Sequence, residues 1–512
     1  MPIRMIKDDS SSSNDNYPGG GGGNRGGGNG FLGIILMLFS RNPKLMIVAA
    51  ILFGGYYFFG GQCNSANPTS KISKVFNLGA DLDPKVYDQA EVYEPLADNR
   101  SNPMPESVSL EKYCPQRLNQ GQQGSCVGWG STYAARTILQ ARASEQDPNT
   151  VAFSPAYVYN QIHLEDCQGS YILKAMEVMQ ENGALPFEKF KYTDQDCNRK
   201  PNSMERKEAS AFKIKGADRL SKNGDDYKTD LLAIKQHLVQ GAPVVVGMMV
   251  GGTFMQEMLG QKIWIPSKED YDMRGFGGHC MCVVGYDDYM EGGAFRIMNS
   301  WGEEWGEKGL AWIRYKDFDW FCKEAYGLYP MGGGDQNASG DLDIQIGLIS
   351  NDDGSTIELQ SVDENKCITT SPIKKGSKFK MEVKNNIACY TYVFGEETDG
   401  KAYVLFPYTK KHSPYCGITG TRLFPKDYSM QADAVGSKDR IAIVVSREPL
   451  DYVQLNEAMN ASKATDFEAK LKSALGNKLS NQINTSGTGK ISAKGPLAEG
   501  NCFEIIVEIA KN

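Results

Sequence analysis

Residues 45–61 run for 17 positions without a charge, and no other feature limits the fold of this chain as strongly. Wound as a helix the stretch is about 25 Å long, close to the ~30 Å hydrocarbon core of a bilayer. Tyr56 and Tyr57 near its end suit an interfacial belt. A shorter apolar stretch, 31–39, precedes it across Ser40-Arg41-Asn42-Pro43-Lys44. That stretch reads as an interfacial segment, or as the first part of the same helix kinked at Pro43. Ahead of both, a serine run and a glycine-rich tract cannot bury a core. The expected order is a disordered tail (1–30), a membrane anchor with one transmembrane helix (31–61) and a linker or short extension (62–106). Arg25, Arg41 and Lys44 precede the span, and Lys71 and Lys74 follow it. Basic flanks of this kind favour a cytoplasmic N-terminus, with the remainder outside the cytoplasm. A cleaved signal peptide fits less well, because the apolar region starts late, is broken, and lacks a small-x-small site.

Beyond residue 106 the pattern is globular. The hydrophobic fraction of 41% and charged fraction of 23% exclude wholesale disorder and a polytopic membrane protein. A net charge of −7 gives no basic footprint for nucleic acid. Glycines from 332 to 334 place a linker at 331–340. This separates a mixed unit, 107–330, from a strand-rich one, 341–512. Twelve cysteines are too dilute for a small disulfide scaffold, and only four histidines exist, His163, His237, His279 and His412. Any chemistry needing an imidazole must use one of those four.

Asn119-Gln120-Gly121-Gln122-Gln123-Gly124-Ser125 reads as a loop. After it Val127, Ala134, Ile138 and Ala141 share one helical face. Cys126 is therefore expected at a helix N-terminus, where free N–H groups and the macrodipole favour a thiolate. A thiolate nucleophile needs an acid/base partner. His279 follows Gly277-Gly278 and precedes an apolar run that reads as a buried strand. Asn299, at the end of another predicted strand, can orient an imidazole through its amide, and Trp301 can shield that hydrogen bond. Cys280 and Cys282 alternate on a strand and point to opposite faces, which disfavours a shared metal. His237, beside Leu238, is expected on a helix surface.

These segments resemble the papain-like cysteine peptidases. Gln120 and Cys126 have that family's six-residue spacing, and Asn299-Ser300-Trp301-Gly302, Trp305-Gly306 and Gly309 match its later signature. The resemblance covers roughly residues 108–329. It implies an α+β fold of two lobes, a helical lobe carrying Cys126 and a β-rich lobe carrying His279 and Asn299, with the site in the cleft between. It implies Cys126 as nucleophile, His279 as acid/base, Asn299 as orienter, Gln120 in the oxyanion hole and Trp301 in support. No metal or cofactor is required. Gly169, Ser170, Gly278 and Trp305 are the implied substrate-binding positions. Departures are Gln123 in place of a disulfide cysteine, Val127 in place of a tryptophan, and Ser170 in place of a glycine. A disulfide between Cys167 and Cys197, bracketing the substrate loop, is open to these cysteines. Residues 64–106 lack the long charged helical propeptide of many relatives, which argues against inhibition by a large pro-domain.

In the last unit, Phe379, Met381 and Val383 alternate, and Thr398-Asp399-Gly400 is a hairpin signal between two apolar runs. A β sandwich with a helical insertion at Phe467, Leu471 and Leu475 is expected. Leu405-Phe406-Pro407 and Arg447-Glu448-Pro449-Leu450-Asp451 resemble an uncharacterised β-rich domain appended to bacterial peptidases. The combined expectation is a bacterial, single-pass membrane peptidase. Its catalytic domain lies in the periplasm, its partners are a peptide or protein substrate and the membrane through 45–61, and it binds no nucleic acid. The alternatives are a catalytically silent papain-like binding protein, and an acyl transferase or transpeptidase using the same residues.

Overall fold

The computed structural model describes residues 3–8, 76–98, 100–224, 226–329, 341–426, 428–498 and 500–512. The expected anchor, most of the tail, the start of the 62–106 linker and the 331–340 linker lie outside them. Among the described residues no helix is long and apolar enough to cross a membrane.

The helical lobe forms where the sequence carries stripes of period 3.6. Cys126 opens a helix that continues through a π-type stretch, Trp129–Arg136, to Ser144. Val127, Ala134, Ile138 and Ala141 are buried along it, as their spacing predicts. Ile172–Glu181 buries Ile172, Ala175, Met176 and Met179. Gly183 follows this helix at φ 85°, where a Cβ would overlap the Ala209 carbonyl. Asp230 caps Leu231–Val239 by accepting the N–H groups of Leu232 and Ala233. His237 on that helix is buried rather than exposed, donating Nδ1–H to the Ala233 carbonyl at 2.9 Å. It packs against Gly327, where a Cβ would have no room.

The β-rich lobe is one twisted sheet. Its spatial order is Ala217–Arg219, Cys322–Leu328, Val244–Val250, Gly277–Asp287, Ala294–Met298, Leu310–Arg314 and Ile263–Trp264. Val244–Val250 pairs on both edges, which explains its unbroken apolar run. In its register Met248 stands opposite His279, so the histidine sits at the head of a central strand rather than on a mobile loop.

The last unit is the expected sandwich. One sheet centres on Leu342–Ser350 and Lys378–Asn385, the other on Cys389–Glu396, Lys438–Ser446 and Cys502–Ala510. Their inner faces share a core that includes Ile344, Phe379, Val393, Ile443 and Ile505. Helices Tyr452–Ala461 and Phe467–Leu475 cover the outer face of the second sheet through Leu455, Met459, Phe467 and Leu471. The hairpin at Thr398-Asp399-Gly400 closes with a 2.7 Å bond from the Glu397 N–H to the Lys401 carbonyl.

Two expectations are corrected here. The first residues do not behave as a disordered tail. Ile3–Lys7 forms an antiparallel strand against Tyr428–Ala432, Ile3 is buried, and Ser429 Oγ donates to Asp8 at 2.6 Å. A single crossing by residues 45–61 would put these two strands on opposite faces of a bilayer. That topology and this pairing exclude each other within one copy of the chain. The second correction concerns the 62–106 linker. From Phe76 onward it is an ordered strap that crosses the cleft and then runs between the two domains.

Candidate active site

The loop 119–125 delivers Cys126 to the first turn of its helix, and the side chain is wholly buried. Its Sγ accepts the amide N–H of Cys280 at 3.4 Å, which seats the thiol beside the residue that follows His279. His279 is also wholly buried, with Nε2 2.7 Å from Asn299 Oδ1. The same Oδ1 accepts the N–H of Ser300 at 2.7 Å. Oδ1 is thus the acceptor end of the amide, so Nε2 carries the imidazole proton and Nδ1 is the bare nitrogen. Nδ1 has no hydrogen-bond partner. It is the ring atom left to take a proton. Trp301 stacks on the imidazole at 4.4 Å between ring centroids, and Phe76 stacks on Trp301 at 4.7 Å.

Gln120 is fixed from several sides. Ser300 Oγ donates to its Oε1 at 2.7 Å, its main-chain N–H donates to the Ser300 carbonyl at 2.8 Å, and Tyr192 OH donates to its carbonyl at 2.6 Å. Ser125 Oγ in turn lies 2.6 Å from that phenol. With Oε1 occupied, the amide nitrogen must point the other way. It donates to the carbonyls of Asn77 at 3.1 Å and Gln123 at 3.0 Å.

Asn77 belongs to the strap. The Trp301 indole N–H also donates to its carbonyl, at 3.0 Å. Further along, Gly79 and Ala80 donate to the Gly278 carbonyl at 3.3 and 3.1 Å. Ser170 donates to the Gly79 carbonyl at 2.9 Å, and Asp81 donates back to Ser170 at 3.0 Å. An extended peptide therefore lies across the cleft, hydrogen-bonded to the helical lobe at Ser170 and to the β lobe at Gly278. The approach is close: a Cβ on Gly79 would collide with Gly124, and one on Gly278 with the Ala80 carbonyl.

Closure sets the electrostatics. Burial pushes the Cys126 thiol up to about 12, against the opposing pull of the Cys280 and Val127 N–H groups. Burial likewise lowers His279 to about 4, although its bond to Asn299 favours the charged ring. Thiol and imidazole are both neutral in this closed form.

Of the residues singled out from sequence, Cys126, His279, Asn299, Gln120 and Trp301 converge at one place. Gly169, Ser170 and Gly278 border the strap. Trp305 does not reach the cleft: it is wholly buried, and its indole N–H is spent on the Phe254 carbonyl at 3.1 Å. Cys167 and Cys197 are disulfide-bonded, with Cα atoms 6.0 Å apart. The Cys167 carbonyl accepts the Gly124 N–H, which ties the disulfide-bracketed loop to the loop ahead of Cys126. Sequence reasoning missed the strap, Tyr192 and the role of Ser300. Only Ser300 lay inside a motif that could have flagged it.

Residues 104–326 match the model of the papain family cysteine proteases, and residues 373–449 match a domain of unknown function (DUF4384). The chain is similar to an uncharacterized peptidase C1-like protein of Acanthamoeba polyphaga mimivirus. The two are 25% identical over 252 residues, 48% of this chain and 75% of that protein. Cathepsin K of Mus musculus is 26% identical over 229 residues, 44% of this chain and 63% of cathepsin K. Among solved structures, xylellain, a cysteine protease from Xylella fastidiosa, aligns with a TM-score of 0.41 at 22% identity. That alignment covers 52% of this chain and 98% of xylellain.

Proposed function

From the premise that residues 104–326 form a papain-family cysteine peptidase domain, we propose that this chain hydrolyses peptide bonds at Cys126 and that its own residues 76–82 hold the cleft closed. The observation that carries this reading is the Asn77 carbonyl. A main-chain carbonyl already rests on the Gln120 amide, beside the His279–Asn299 pair and the Cys126 thiol. The cleft therefore accommodates extended peptide by backbone hydrogen bonds.

With the strap displaced, Cys126 passes its proton to His279 Nδ1 and the thiolate attacks the scissile carbonyl. The carbonyl π electrons move to oxygen, where the Gln120 amide and the Cys126 N–H donate to the oxyanion. One such donor contributes on the order of 3 kcal/mol. As the intermediate collapses, His279 returns its proton to the leaving amine, and a thioester on Cys126 remains. Nδ1 then takes a proton from water, whose oxygen attacks the thioester, and Cys126 leaves with the proton restored. Asn299 keeps the ring in the tautomer this shuttle needs.

The experiment is incubation of the full chain with a peptide library and identification of new termini by mass spectrometry. Free carboxylates at the cut sites are expected. Products in which the carbonyl is joined to another peptide's amine would establish acyl transfer in place of hydrolysis. Unchanged peptides, from a chain whose strap has been displaced, would sink the peptidase reading.

A further inference from the structure

The strap does not end at the cleft. After the short helix Pro84–Tyr87 it enters the seam between the peptidase and the C-terminal sandwich, which grips it along its length. Lys411 pairs with Asp88 at 2.8 Å. Val92 is stitched into a ladder: its N–H donates to the Lys411 carbonyl at 2.6 Å, and Ser413 donates back to Val92 at 3.0 Å. On the other side, Tyr93 donates to the Arg219 carbonyl of the peptidase at 3.1 Å. Tyr408 OH donates to Glu94 Oε1 at 2.9 Å, and buried Arg422 donates to the Glu94 carbonyl at 3.2 Å. Farther on, Asn102 forms a two-way pair with the Thr421 main chain at 2.9 and 2.8 Å. The sandwich also holds the peptidase directly, through Thr419 on Gln240 and Lys426 on Asp230.

We propose that the C-terminal sandwich is the control element of the peptidase: by gripping residues 88–102 it keeps residues 76–82 in the cleft, and loosening that grip opens the site. This rests on the reading of the cleft as a self-closed peptidase site. The physical basis is effective concentration. Residues 76–82 are a short peptide held largely by main-chain hydrogen bonds, each of them weak in net terms because water competes for the same groups. Such a peptide stays bound because it is tethered close by. The peptidase holds the same stretch from its own side: Tyr87 OH donates to the Ala325 carbonyl, Tyr227 OH donates to Asp88, and Gln236 brackets the Leu96 main chain. The sandwich closes the other side of that grip, and freeing it lowers the effective concentration of residues 76–82 at the cleft.

Gly420 offers the handle. A Cβ there would lie 2.6 Å from Asn102 Oδ1 and 2.9 Å from Leu96 Cδ1, so a larger side chain wedges the strap off the sandwich without touching the cleft. Lys411→Glu sets like charges against Asp88 at a half-exposed position and serves if the wedged variant does not fold. The readout, in the full chain, is the iodoacetamide alkylation rate of Cys126. Leu82→Asp, which disturbs the cleft segment itself, is run in parallel.

Gly420→Val and Lys411→Glu should each accelerate labelling by about threefold or more, the weight of roughly one lost hydrogen bond, with circular dichroism unchanged. Unchanged rates in both, with faster labelling in Leu82→Asp, would overturn the control role and leave the self-closed peptidase standing. Faster labelling in all three without cleavage of any peptide would uphold the grip and refute the peptidase reading.

Discussion

Leu82→Asp should raise peptide hydrolysis by the full chain ~30-fold or more. Leu82 packs over Gly247 against Ile172 and the Cβ of Glu324. Glu324 is buried, and its carboxyl is pushed up to about 8, chiefly by burial, with Asp81 and Asp83 adding to the shift. Removing a half-buried leucine costs about 2 kcal/mol. An added carboxylate beside Glu324, Asp81 and Asp83 costs more. Since 1.4 kcal/mol is a factor of ten in a two-state equilibrium, ~2 kcal/mol is about thirtyfold in the open fraction. The change should appear in kcat/KM, through a lower apparent KM, and fade at saturating substrate, because strap and substrate compete for the same cleft. An initial-rate series on one cleaved peptide checks it. A rate equal to the parent chain's would show that residues 76–82 do not limit access.

The second large effect is loss. Cys126→Ala should lower hydrolysis at least ~10⁴-fold, the order seen when a nucleophile that acts as one unit with its base is removed. Cys126 sits where no other described side chain can replace it. Cys280, the adjacent thiol, has its pKa raised well above the ordinary value by burial, and it lies on a strand residue directly after His279. The substitution should leave folding intact, since alanine fits a buried helical position. The thermal transition of the variant should therefore match that of the parent within a few degrees.

The candidate site was legible in the sequence because the proposed chemistry demands particular residue types inside short local patterns. Gln120 and Cys126 share one loop, and Asn299, Ser300 and Trp301 are consecutive. The helical stripes at Ile172 and Leu231 and the run at Val244 were legible for the same reason: periodicity is local. What was not legible depends on contacts between distant parts of the chain. The strap is extended and held by main-chain bonds, so Phe76-Asn77-Leu78-Gly79-Ala80 carries no periodic signal and reads as a linker. His237 looked like a surface residue until Gly327, on a strand far along the chain, made room for its ring. Trp305 sits in the family motif but spends its indole in the core. The pairing of Ile3–Lys7 with Tyr428–Ala432 joins segments more than 400 residues apart, and nothing in either segment announces the other.

The most direct measurement is the hydrolysis rate of the Leu82→Asp chain set beside that of the same chain carrying Cys126→Ala. A fast rate in the first and a loss of about 10⁴-fold or more in the second are expected. Equal rates in the two chains, with both folded, would contradict the assignment of Cys126 as the nucleophile behind a self-closed cleft.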